Sequence, residues 1–153
     1  MRFPISFSKL MIIKEKIQMY TLEEIAALRQ KCKELHLEGR ELLDKYTDSE
    51  LQTICNGIGP AVLPAFIRKT FTKLNHAMQA AAFIHDVEFE EADGTREAFE
   101  EVNARFLANG LKVAEQYGKC DPRRYLFQLQ IHRLAGLCRR FGWICWLLAS
   151  RKK

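Results

Sequence analysis

Residues 55–103 read CNGIGPAVLPAFIRKTFTKLNHAMQAAAFIHDVEFEEADGTREAFEEVN. The stretch opens on a glycine-bearing turn, Cys55-Asn56-Gly57-Ile58-Gly59-Pro60. Gly57 and Gly59 permit positive φ, and Pro60 restarts the chain with φ fixed. Residues 61–75 carry apolar side chains at helical spacing, with Arg68, Lys69 and Lys73 on the other face. Residues 77–90 are almost wholly apolar through Ile84 and then present His85-Asp86, which predicts the most buried helix of the chain. An acidic turn, residues 90–94, leads to a helix that runs to about Tyr117, capped by Asp93 or Thr95. Its stripe, Phe99, Val102, Phe106, Gly110 and Val113, also includes one polar residue, Asn103. A short turn between two helices makes them antiparallel neighbours. The expected fold is therefore all-α, a single-domain helical bundle whose two central antiparallel helices carry the His-Asp pair and its partner.

The flanks agree. Thr21 with Glu24, and Thr47 with Glu50, are capping boxes. The first predicts a helix with the stripe Ile25, Leu28, Cys32, Leu35 and Leu42, on which Gly39 permits close approach of another helix. The second predicts a short helix that stops at Asn56-Gly57. Gly118 ends the long helix, and Asp121-Pro122 opens the last one with a cap and a proline at its first position. That helix ends in an apolar run, residues 141–149, between Arg139-Arg140 and Arg151. Packing on the first helix is expected of it. The other reading lays Trp143 and Trp146 in a membrane interface, with Arg139 and Arg140 towards lipid headgroups. No strand pattern or internal repeat is present.

A chain of 153 residues, 48% apolar and 28% charged, is long enough to bury one core and too apolar for disorder. The net charge of +5 permits an anionic partner without requiring one. Five cysteines without a CxxC pair speak against a zinc site and a disulfide framework, and read as reduced thiols in a cytoplasmic protein. The leader has Lys9 inside its apolar run and no small-residue cleavage site, so export is not expected. Met19-Tyr20-Thr21 resembles a natural beginning. Residues 1–20 are expected to be a loose extension and 21–150 the helical domain. No segment reaches the roughly 20 apolar residues that span a bilayer.

His85 and Asn103 fall on the inner faces of consecutive helices, where they can meet. A satisfied core histidine fits that placement as well as a working one does. The order of a glycine loop, a His-Asp pair on a helix and a polar partner on the next helix resembles the phospholipase A2 family, in its compact bacterial, viral and phage form. The family's loop has the form x-x-Gly-x-Gly and its helix carries His-Asp-x-x-Tyr. This chain has Cys55-Asn56-Gly57-Ile58-Gly59 and His85-Asp86-Val87-Glu88-Phe89. The resemblance covers roughly residues 55–106.

It implies calcium-dependent hydrolysis of a phospholipid acyl ester. His85 would be the general base, oriented by Asn103. Asp86 and the carbonyls of Cys55, Gly57 and Gly59 would hold the calcium ion, which suits a hard cation. The sequence departs from the family in four respects: Asn103 replaces an aspartate, Phe89 replaces the tyrosine, Ala81 and Ala82 stand where secreted members carry cysteines, and the loop-to-His separation is longer, with an extra helix expected over residues 61–75 between them. Activity reduced or lost is what these departures put in view. The rival readings are a non-catalytic helical structural or interaction protein, phage-encoded, and a metal phosphohydrolase using His36 or His76, His85-Asp86 and Asp121. Nucleic-acid binding has no motif behind it.

Overall fold

The computed structural model describes residues 19–55, 57 and 65–151. Six α-helices are described: α1 (Leu22–Glu34), α2 (Asp48–Ile54), α3 (Ala65–Leu74), α4 (Gln79–Glu90), α5 (Arg96–Ala114) and α6 (Pro122–Ser150). No strand occurs among the described residues. The fold is all-α, as the periodicity requires. Residues 61–64, expected within the third helix, lie outside the described residues.

Both capping boxes form. The Thr21 hydroxyl accepts from the Glu24 amide at 3.1 Å, and the Glu24 carboxylate accepts from the Thr21 amide at 2.7 Å. The same exchange joins Thr47 and Glu50. Thr95 caps α5, and Asp121 caps α6 ahead of Pro122. Each cap satisfies amide donors that the first helical turn leaves without a partner.

α1 ends well before the Leu42 limit of its apolar stripe. The chain leaves the helix after Glu34, turns through His36 at φ 48° and Gly39 at φ 80°, and continues as a 3-10 segment, Arg40–Lys45. The cause lies far along the sequence. The buried Asn109 amide accepts from the Glu38 N–H at 2.8 Å and donates to the Glu38 carbonyl at 2.9 Å. Lys112 donates to the His36 carbonyl at 2.8 Å. These bonds hold the turn against α5 and swing Leu37 into the core. Gly39 does allow close approach, but to α4 and from a left-handed turn. A Cβ there would lie 3.1 Å from Ile84 Cγ2 and 3.2 Å from Glu88 Oε1. Asn109→Ala removes both bonds to Glu38 at once. A loss of about 1–2 kcal/mol in unfolding free energy is expected, from the cost of leaving partly buried backbone groups unmade. Urea unfolding checks it, and a variant as stable as wild type would mean that Asn109 does not hold the turn.

α4 is the central helix. Ala80, Ala81, Ala82, Phe83, Ile84, Val87 and Glu88 are all buried. The run of alanines lets α1 come close, with the Cys32 thiol 3.4 Å from the Ala80 carbonyl. On the other side α4 meets α5. As α4 advances from His85 to Phe89, its partners on α5 step back from Asn103 to Phe99, the order expected of neighbours running in opposite directions.

α6 packs mainly on α5 rather than on α1, contrary to expectation. It lies along α5 and touches α4. Trp146, 2% exposed, closes a cluster with Phe89 and Phe99, and its indole N–H donates to the Thr95 carbonyl at 3.0 Å. Trp143 stacks edge-on against Phe99. Tyr20, counted with the loose extension, is buried, and its carbonyl accepts from Gln52 at 2.8 Å. The ordered domain therefore begins ahead of Thr21. No helix among the described residues is long and apolar enough to cross a membrane.

Candidate functional site

The site is built where α4 and α5 face each other. Asn103 is wholly buried because it shares the stripe of Phe99 and Phe106. Its amide N–H donates to the Phe99 carbonyl one turn back, at 2.7 Å. That bond fixes which way the amide points, so Oδ1 is presented to His85. The His85 Nε2–Oδ1 distance is 3.4 Å, a long contact that is a hydrogen bond in the tautomer with the proton on Nε2, because the amide oxygen can only accept. Nδ1 is then the nitrogen with the lone pair. The imidazole also lies against two phenyl rings, Phe89 at 4.7 Å and Phe106 at 4.6 Å between centroids, tilted 41° to each. Burial penalises the imidazolium more than the Asn103 bond supports it, which brings the His85 pKa down to about 4. The ring is neutral near pH 7.

Asp86 is the next residue on α4, about 100° further round. Its charge is felt by Tyr20, Cys55 and Cys138. Burial raises the Tyr20 hydroxyl and the Cys55 and Cys138 thiols, and in each the Asp86 carboxylate adds to the rise. The Asp86 charge therefore reaches Cys55, where the glycine bend begins. The Cys55 thiol in turn reaches the Phe83 carbonyl at 3.9 Å, three residues before Asp86 on the same helix. Gly57 has φ 75°, and a Cβ there would meet Thr72 Oγ1 at 2.6 Å and Met19 Cε at 2.9 Å. Only glycine fits, by conformation and by space. Gly59 lies outside the described residues.

The sequence-expected residues thus divide into two groups. His85 and Asn103 are in contact. Asp86 acts on the Cys55 thiol through its charge. His36 is exposed in the turn after α1, His76 is exposed at the start of a 3-10 segment, and Asp121 is committed to capping α6 and pairing Arg123 at 2.7 Å. Among the described residues no three His, Cys, Asp or Glu side chains gather as a metal cluster. One carboxylate with backbone carbonyls, the donor set implied for calcium, is a different arrangement.

Two features escape a reading by motif. Phe106 forms one wall of the imidazole's box although it reads as an ordinary core position. Glu88, one turn after Ile84 on the buried face, is 3% exposed and paired with Arg105 from α5. A carboxylate on an apolar stripe is the signal that points to such a pair. No protein family, curated protein or solved structure matches this chain.

Proposed function

We propose that this chain is a phospholipase A2-like protein, a calcium-dependent hydrolase of a phospholipid acyl ester centred on His85. The observation that supports it is the contact of His85 with Asn103: the amide, itself anchored to Phe99, engages Nε2, and in the tautomer protonated there Nδ1 is the base. In this reading Nδ1 takes a proton from the water that attacks the ester carbonyl, and later returns it to the leaving oxygen. Asn103 orients the ring through the step. A neutral amide steadies the imidazolium less than a carboxylate does, so a slow base is expected. Asp86, with the carbonyls of Cys55, Gly57 and Gly59, would hold the calcium ion. When bound, such an ion supplies positive charge for the lipid phosphate and the developing oxyanion.

The test is fatty-acid release from mixed micelles in millimolar calcium. Wild type is expected to release it, and His85→Gln to lose at least about a hundredfold, the usual worth of a positioned base. Asn103→Asp is expected to raise the rate, because an anionic partner favours the imidazolium. Circular dichroism checks that each variant folds. A wild type that neither releases fatty acid nor binds calcium would hand the case to the second reading, a non-catalytic helical interaction protein. The observation on that side is the box of Phe89 and Phe106, which suits a neutral core histidine.

A further inference from the structure

With Trp146 turned inward, the face that α6 leaves outside is made of other residues. Leu126, Leu129, Leu137, Phe141, Ile144 and Leu148 are all exposed, Phe141 by 62% and Ile144 by 68%. Their three- and four-residue steps, with the eight-residue step from Leu129 to Leu137 bridged by Arg133, put them on one side of the helix. The stripe runs about 33 Å, at 1.5 Å per residue. Arg133 and Arg140 stand within it, exposed, and neither has an ion pair among the described residues. A groove lined by Arg133, Gly136, Leu137 and Arg140 lies between them. No aspartate or glutamate follows Asp121 anywhere in the chain, while Arg124, Arg151, Lys152 and Lys153 add further positive charge.

We propose that this outer face of α6 docks on a bilayer bearing anionic lipid headgroups, with the helix lying along the surface. Charge decides between the candidate occupants. A second copy paired antiparallel about a point between Gly136 and Leu137, half a residue from the middle of the stripe, would set Arg133 against Arg140 of that copy in a seam emptied of water. Unpaired like charges in such a seam are costly. The leader of this chain carries Arg2, Lys9, Lys14 and Lys16 against the single Glu15, so it too would bring positive charge to a positive face. An anionic surface meets both needs. The leucine, isoleucine and phenylalanine side chains enter the boundary between headgroups and acyl chains. The arginine stems lie along the same apolar surface and carry their guanidinium groups to the phosphates. The proposal stands apart from hydrolysis at His85.

Vesicle co-sedimentation of the full chain in EDTA tests it, so that binding is read without calcium-dependent turnover. The expected result is pelleting with vesicles in which roughly a third of the lipid is phosphatidylglycerol, little with pure phosphatidylcholine, and weakening as salt is raised. Arg133→Glu/Arg140→Glu and, separately, Leu137→Glu/Ile144→Glu alter only exposed positions. Each is expected to cut partitioning at least about tenfold. Equal binding to neutral vesicles, no binding to either, or binding that both variants leave unchanged would each overturn the proposal. So would a dimer in analytical ultracentrifugation that Leu137→Glu dissociates, without vesicle binding; that result would give the face to a second copy.

Discussion

Gly110→Ala is expected to lower the unfolding free energy by about 2 kcal/mol, a fall of roughly 4–8 °C in Tm for a chain of this size. The sign is not obvious, because alanine is the better helix former by about 1 kcal/mol. Space decides it. A Cβ on Gly110 would lie 2.2 Å from Ile131 Cγ1, 2.4 Å from Cδ1 and 3.2 Å from Cβ. Rotation about χ1 leaves Cβ where it is, and a β-branched residue in a helix is held largely to one χ1 rotamer, so a rotamer change cannot clear all three contacts. α5 and α6 would have to part at this point, and Ile131 is fully buried in the core they share. Gly136, within α6, supplies the control: a Cβ there meets nothing within 4 Å. Gly136→Ala is therefore expected to stabilise, by about 0.5–1 kcal/mol.

The two residues can be tested as a pair. Ile131→Ala alone leaves a cavity and is expected to cost about 2–5 kcal/mol. In Gly110→Ala/Ile131→Ala the new methyl occupies part of that cavity and meets no Cγ1. The double variant should then be more stable than the sum of the single losses by about 1 kcal/mol or more. Urea unfolding of the four proteins gives the coupling. Strict additivity would mean that the helices do not meet at this pair.

What could be read in advance follows the range of the interaction. The caps at Thr21, Thr47, Thr95 and Asp121 join side chains to amides two or three residues away, so the sequence displays them directly. The burial of α4 was legible because nearly every position from Ala80 to Ile84 is apolar. The meeting of His85 and Asn103 was legible too, since each sits on an inward stripe and a short turn separates the helices. The end of α1 was not. Its stripe continues to Leu42, and the bonds that stop it come from Asn109, 71 residues beyond Glu38. The side that α6 buries was equally hidden. Residues 141–149 are apolar all round, so periodicity names no face, and only the approach of α5 turns Trp146 inward and leaves Phe141, Ile144 and Leu148 outside.

One turn of α4 places two titratable groups with opposite stability profiles, and the variants that separate them should show it. Glu88 has its pKa pushed up to about 7, because burial penalises its carboxylate more than Arg105 supports it, with Glu41 and Glu38 adding to the rise. Its second oxygen, Oε2, has no hydrogen-bond partner. Between its ordinary value near 4.5 and 7 the folded chain holds this proton more often than the unfolded chain. Its contribution to stability is complete below pH 4.5 and is lost as pH rises towards 7. His85 behaves in reverse. With its pKa brought down from 6.5 to about 4, the unfolded chain binds that proton more readily, so its contribution is complete above pH 6.5 and is lost as pH falls towards 4. Each slope reaches about 1.4 kcal/mol per pH unit at most, and each excursion is of order 3 kcal/mol. From pH 4.5 to 6.5 the two oppose, and the wild-type profile is expected to be nearly flat. Asp44, Glu50, Glu100 and Asp121 have pKa values below their ordinary range and titrate beneath this window. Glu88→Gln removes one slope, and its stability should rise from pH 4.5 to 6.5 relative to wild type. His85→Asn removes the other, and its stability should fall across the same interval. Urea midpoints at four pH values resolve both trends, and a Glu88→Gln profile parallel to wild type would mean that the Glu88 proton does not distinguish the folded from the unfolded chain.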